Sequence, residues 1–193
     1  TSINTGDDAD TILVSNDALM LDDIDALLTL DAGAGIDVIT VNDSGDSDDE
    51  NGVLTATTLT GLGMGGSIAY ANAETLNLLL GAGANGFTIA STHVQATTLD
   101  TGDGADSVLI ETIAGTTTVT TGAGADSLIV GQDDAATTDV IDRTLAGIDA
   151  VLTLNAGADA DTLLVDTRVS SGDLTGTLTD TQLTGLGMGG RID

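Results

Sequence analysis

Thr101–Ile110 reads TGDGADSVLI, and twenty residues on Thr121–Val130 reads TGAGADSLIV. The shared form is Gly-x-Gly/Asp-x-Asp/Asn, with apolar residues at the second and fourth places after the acid. It begins again at Gly6 (GDDADTILV), Gly33 (GAGIDVITV), Gly81 (GAGANGFTI) and Gly157 (GADADTLLV). In a chain this rich in Gly and Asp the bare turn would arise by chance roughly once. Six turns with one apolar sequel make a repeat. A unit this short cannot close a core of its own, so successive units have to share one by stacking.

After each turn the apolar residues alternate, as in a strand with one buried face. Ile12 and Val14 fall on one side, as do Ile39 and Val41, Phe87 and Ile89, Val108 and Ile110, Leu128 and Val130, and Leu163 and Val165. Second strands fit between turns at Leu76–Leu80, Thr97–Thr101 and Thr116–Thr121. One period is then strand, Gly-rich turn, strand, short turn. This predicts an all-β chain, a parallel β-solenoid (β-helix or β-roll) whose coils of about 20 residues each add about 4.8 Å. With no Pro, one Tyr and one Phe, the interior has to be built from Leu, Ile, Val and Ala. The motif intervals are 27, 48, 21, 20 and 35 residues, so only Gly81, Gly102 and Gly122 open consecutive plain coils. The longer gaps call for loop excursions, and Asp17–Leu28 is read as a strand-containing loop rather than a short helix.

A longer repeat overlies the short one. LTLDAGAGIDVITV (Leu28–Val41) returns as LTLNAGADADTLLV (Leu152–Val165), and LTGLGMGG within Thr58–Gly66 returns within Gln182–Gly190, both displaced by 124 residues. The first motif recurs after 116 residues, from Gly6 to Gly122, which places an eight-residue insertion between Asp133 and Asp149. The chain reads as one continuous segment, 1–193, with about one and a half copies of a 124-residue unit, 1–120 and 121–193.

Stacked turns stack their acids. Asn85, Asp106 and Asp126 would stand about one strand spacing apart, and two carboxylates at 5 Å repel by roughly 1–3 kcal/mol. The chain carries 31 acids, nearly all Asp, against 3 arginines, for a net charge of −28. A divalent cation between coils would relieve that column. Oxygen ligands, no Cys and a single His point to Ca²⁺ rather than zinc or copper. The alternative is plain turn chemistry, with each Asp bonded to its own backbone.

GDGADSVL resembles the nonapeptide GGxGxDxUx of RTX-type (haemolysin-type) calcium-binding repeats. The long unit is similar to tandem blocks in very large bacterial surface and secreted proteins. The resemblance implies Ca²⁺ held between coils of a right-handed β-roll, with contacts at Gly102, Gly104 and Asp106 and at Gly122, Gly124 and Asp126. Gly81, Gly83 and Asn85 match less fully, and Asp10, Asp37 and Asp161 hold the acid position of the remaining motifs. The family's first Gly is replaced by Thr101, Thr121, Leu80, Thr5, Ala32 and Ala156. Turn motifs recur about every twenty residues rather than about every nine. One ligand column is therefore expected, not two.

Other features weigh less. Gly61–Gly66 (GLGMGG) satisfies G-x-G-x-x-G, but no helix pattern follows and the form recurs at Gly185–Gly190, so it reads as a structural turn. The acidic run Asp43–Gly52 fails the EF-hand spacing and reads as a solvated loop, with a loose Ca²⁺ site as the alternative. His93 has no second His or Cys to join it. Alternating Thr at Thr116–Thr121 and Thr175–Thr184 suits strands and could order water, although such ranks do not recur in every coil. Leu13, Leu109, Ile129 and Leu164 face away from the core and suggest lateral self-association.

The expected function is structural and non-catalytic: a Ca²⁺-stabilised segment of an extracellular or cell-surface bacterial protein, serving as a fibre, spacer or surface-layer element. Its partners would be further copies of the repeat in cis, with lateral or end-to-end association. The acidic field disfavours nucleic acid, and no apolar run spans a membrane. An adhesin or an ice- or glycan-binding module is the alternative, and a polysaccharide-acting enzyme the least favoured.

Overall fold

A computed structural model describes residues 1–133, 143–168 and 174–193; most of the segment inserted after Asp133 falls outside them. The described residues are all β, with no helix long and apolar enough to cross a membrane. In chain order the strands are β1 (Ser2–Asn4), β2 (Thr11–Val14), β3 (Leu27–Asp31), β4 (Val38–Asn42), β5 (Asn51–Leu54), β6 (Thr58–Gly61) and β7 (Ser67–Ala71). Then come β8 (Thr75–Leu79), β9 (Gly86–Ile89), β10 (Ala96–Asp100), β11 (Ser107–Ile110), β12 (Thr117–Thr120) and β13 (Ser127–Val130). A short antiparallel pair of two-residue strands, β14 (Gln132–Asp133) and β15 (Arg143–Thr144), precedes β16 (Val151–Asn155) and β17 (Thr162–Val165). The last three are β18 (Gly176–Leu178), β19 (Leu183–Gly185) and β20 (Arg191–Ile192). Residues 15–26 form turns and loop leading into β3, without a helix.

Two nine-stranded sheets result, mostly parallel. Sheet I runs β1-β3-β7-β6-β5-β9-β11-β13-β17, and sheet II runs β18-β19-β20-β16-β12-β10-β8-β4-β2. From β8 to β13 the chain alternates strictly, II to I and back, and each strand pairs in register with the strand two places on. Thus Val108 lies between Phe87 and Leu128, and Leu99 between Leu78 and Val119. This register keeps every apolar residue of the alternation on one face. Ile39, Leu76, Leu78, Phe87, Ile89, Leu99, Val108, Ile110, Val119, Leu128 and Val130 are at most 3% exposed. Burial of each such side chain contributes about 1.5–3 kcal/mol, which compensates for the near absence of aromatics.

Motif glycines that lie against a preceding turn are required by the stack. A Cβ on Gly122 would lie 2.0 Å from the Gly102 carbonyl oxygen, and one on Gly124 would lie 1.7 Å from that of Gly104. Neighbouring turns therefore touch backbone to backbone.

Two expectations change. The motif turns stand in two columns, not one. The turns at 81, 102, 122 and 157 lead from sheet II to sheet I, whereas those at 6 and 33 lead from I to II. Because β4 and β8 are parallel neighbours, the turn before β4 and the turn after β8 lie at opposite ends of the strands. The expected outward stripe is divided, since Leu13 belongs to sheet II while Leu109, Ile129 and Leu164 are adjacent on sheet I. A further feature is that the two copies of the long unit exchange sheets: β3 and β4 lie on I and II, their counterparts β16 and β17 on II and I.

Candidate functional site

Along a column, each motif acid after the first is held by the amide of the preceding turn. The Asn85 amide donates to Asp106 Oδ1 (2.8 Å), the Asp106 amide to Asp126 Oδ1 (2.8 Å), and the Asp126 amide to Asp161 Oδ1 (3.0 Å). The residue after each acid donates back: Ser107 to the Asn85 carbonyl, Ser127 to that of Asp106 and Thr162 to that of Asp126, each at 2.8 Å. Each pair of turns is thus clasped in both directions. The second column repeats the device. The Asp10 amide donates to Asp37 Oδ1, and the Asp37 amide to Glu74 Oε2, both at 2.7 Å.

The corner acids consequently bond to a neighbouring turn's backbone rather than to their own. The carbonyls are engaged as well. The Gly122 carbonyl accepts the Ala158 amide, and the Gly81 carbonyl accepts the Asn85 side chain. Where the resembled family carries its first Gly, Thr101 and Thr121 are fully buried. The Thr101 hydroxyl donates to Asp106 Oδ2, whereas that of Thr121 donates to the Ala156 carbonyl at 3.0 Å. Burial raises the Asp106 pKa despite its bonds from Thr101 and Asn85. Asp126 Oδ2, Asp37 Oδ2 and Asp10 Oδ2 are buried without a hydrogen-bond partner.

The densest acid cluster lies on the column of Asp106, among residues absent from the expected metal set. The run Asp43–Glu50 joins β4 to β5 and stacks beneath the turn at Gly81, whose Cβ would meet the Asp46 carbonyl oxygen at 1.7 Å. Its ladder position is taken by Glu50, whose amide donates to Asn85 Oδ1 at 3.2 Å. The run is not simply solvated: Asp43 is 2% and Asp46 6% exposed. Asp43 Oδ1 accepts the Leu21 amide at 2.9 Å, which fixes the 15–26 loop against the run. Asp22 of that loop, Asp46 and Glu50 then bring carboxylate oxygens within 4.8 Å of one another. At that separation each charged pair costs about 1–3 kcal/mol.

The electrostatics follow. Asp43 is pushed up to about 6, chiefly by burial and then by the charges of Asp46 and Asp22, against the Leu21 amide bond. Glu50 is pushed up to about 7, by burial first and then by Asp43, Asp46 and Asp22. Glu50 Oε2 is buried and unpartnered. The GLGMGG turn between β6 and β7 closes the cluster: a Cβ on Gly63 would lie 1.9 Å from Asp22 Oδ1 and 2.6 Å from Glu50 Oε1. The three acids form an oxygen-only set that, completed by water, suits a hard divalent cation.

The second copy isolates what the fold needs from these acids. It builds the same turn, with Leu186 N to Thr175 O and Gly190 N to Ile148 O matching Leu62 N to Asn51 O and Gly66 N to Ile24 O. Yet Asp22, Asp46 and Glu50 are replaced, 124 residues on, by Ala146, Ser170 and Leu174, of which Ser170 lies outside the described residues. The turn does not require the acids.

The other notable groups sit apart. His93 packs edge-on against Tyr70, with ring centroids 5.9 Å apart, and burial lowers its pKa. Arg168 pairs with Asp166 and holds its carboxyl below the usual range. Comparison of the chain with protein-family models, with curated proteins and with solved structures returns no match.

Proposed function

We propose that the chain is a non-catalytic, cation-stabilised repeat segment, wound as a parallel β-solenoid, of an extracellular bacterial protein. The observation that carries this reading is the Asp22–Asp46–Glu50 cluster, built on a turn that the second copy makes without those three acids. A fold that has no use for three mutually repelling carboxylates at one level gains from them when a cation binds. Ca²⁺ fits the oxygen set and is plentiful outside cells, so binding would favour the folded form after export. The two-sheet alternation and the clasped corners support the solenoid, the RTX-like resemblance and a mechanical role as fibre, spacer or surface-layer element. Unpartnered Oδ2 atoms at Asp126, Asp37 and Asp10 mark secondary positions where a cation could help.

The test is thermal unfolding of the chelator-treated chain with and without added Ca²⁺. The Asp46→Asn, Glu50→Gln double variant serves as the control. Ca²⁺ should raise the melting temperature of the parent chain and not that of the variant. An unchanged melt in the parent chain would reject the cation.

One observation favours a second reading, a surface that binds ice or glycan. Thr40, Asn77, Thr98, Thr118 and Thr153 are cross-strand neighbours on five consecutive strands of sheet II, all half-buried. The Thr98 hydroxyl donates to Asn77 Oδ1 at 2.7 Å. This rank is longer than the sequence suggested. Thermal hysteresis that disappears in Thr98→Leu, Thr118→Leu would establish it, and its absence from the parent chain would remove the ice reading.

A further inference from the structure

One end of the molecule leaves apolar residues open that the same sequence buries elsewhere. Leu154, Leu163, Val165, Leu178, Leu183 and Ile192 line a concavity between the last strands of the two sheets. Their counterparts 124 residues earlier are Leu30, Ile39, Val41, Leu54, Leu59 and Ile68, all at most 3% exposed. In the second copy Leu163 is 53% and Leu178 78% exposed, Leu154, Val165 and Leu183 are half-buried, and Ile192 alone stays buried. What covers the first copy is on view. β8 pairs with β4, setting Leu76 beside Ile39 and Leu78 beside Val41. β9 pairs with β5, setting Phe87 beside Gly52 and Ile89 beside Leu54. The counterparts of β4 and β5 are β17 and β18, the terminal strands of sheets I and II, and among the described residues each has an unpaired edge beside the concavity. The corner chemistry matches as well. The Asp37 amide donates to Glu74 Oε2, and its counterpart is the Asp161 amide.

The geometry points to this face as a docking site for one strand–turn–strand segment with the sequence pattern of residues 72–90, supplied by a further copy of the unit. The occupant must add a parallel strand to β17 and another to β18. It must also present apolar residues where Leu76, Leu78, Phe87 and Ile89 stand, and carry a Glu at the place of Glu74. The inference deepens the repeat reading proposed above and is independent of its cation.

The test extends the chain after Asp193 with a duplicate of residues 70–90, which keeps the 124-residue offset. Hydrogen exchange of the β17 amides facing away from β13 should slow on the order of a hundredfold. The melting temperature should rise with it. A control extension with Asp at the Leu76, Leu78, Phe87 and Ile89 positions should do neither. Unchanged β17 exchange in the faithful extension would overturn the inference. So would a concentration-dependent dimer of the parent chain that buries these edges and persists in the extended chain. The chelator melt reads the cation alone, so loss of one conclusion leaves the other standing.

Discussion

The acid cluster makes stability depend on pH in a direction that distinguishes it from ordinary surface carboxylates. Asp43 moves from 3.8 to about 6 and Glu50 from 4.5 to about 7. Both pKa values are raised in the folded chain, so the folded state holds protons that the unfolded state releases. The stability they contribute is complete below about pH 4 and is lost as pH rises through about 6 to 7. A rise of this size favours the neutral acid by about 3 kcal/mol. Glu50 is partly open to water, and screening there reduces the joint figure for the two groups to about 3–4 kcal/mol. The assay is urea unfolding of the cation-stripped chain at several pH values from 4.5 to 7.5. The 31 acids repel one another more strongly as pH rises, so a falling midpoint alone is not diagnostic. The difference between the parent chain and Glu50→Gln is: the variant should be the more stable at pH 7.5 and no better at pH 4.5. Added Ca²⁺ should close the gap at pH 7.5 by stabilising only the parent. A Glu50→Gln chain that tracks the parent across the range would refute the cluster as the source of strain.

Three sites in the corner columns give sharper local tests. Asp106→Ala removes the acceptor of the buried Asn85 amide and Thr101 hydroxyl and should cost about 2–4 kcal/mol in urea unfolding. Asp106→Asn keeps one acceptor oxygen and should cost clearly less. Gly124→Ala drives a Cβ into the Gly104 carbonyl at 1.7 Å and should cost more than about 3 kcal/mol or prevent folding. Gly6→Ala, at φ 109° with no atom within 4 Å of the added carbon, should cost only about 1–2 kcal/mol of backbone strain. Equal costs at the two glycines would mean that contact between turns is not what selects Gly.

The repeat was legible because its signal is redundant. The spacing of Gly81, Gly102 and Gly122 gave the register, and the alternation at Val108, Ile110, Leu128 and Val130 gave the buried face. The assignment of turns to columns was not legible. It depends on where the 48-residue interval spends its chain. There the chain leaves β4 for the meander β5-β6-β7 on sheet I and returns to β8 beside β4, so Asp37, before β4, and Asn85, after β8, end at opposite ends of the strands. The cluster was legible only in part: the acidic run Asp43–Gly52, which holds Asp46 and Glu50, carried a loose Ca²⁺ site as its alternative reading, but Asp22 comes from a separate loop with no shared motif. A further signal was available: Glu is rare here, occurring at 50, 74 and 111. Two of those three take the ladder place of Asp, Glu74 accepting the Asp37 amide and Glu50 donating its own amide to Asn85.

The exchange of sheets between the copies has a mechanical consequence. Each copy carries a three-stranded meander, β5-β6-β7 on sheet I and β18-β19-β20 on sheet II. A meander adds two strands to its own sheet, about 10 Å of width, and none to the other. Copies that always began on the same sheet would widen one side only and bend the stack. From β3 to β16 the chain instead changes sheet an odd number of times, the second meander falls on the opposite side, and both sheets end with nine strands. The number of passages per unit is therefore constrained in parity, not in total. Deleting residues 102–121 removes β11 and β12, one strand from each sheet, and joins Thr101 to Gly122 at equivalent places in adjacent turns. The deletion should leave a cooperative, less stable β fold with parity intact. Deleting residues 102–111 removes β11 alone and forces every later strand onto the wrong sheet, so cooperative melting by circular dichroism should be lost. If the shorter deletion melts as cooperatively as the longer one, alternation between the sheets does not govern the architecture.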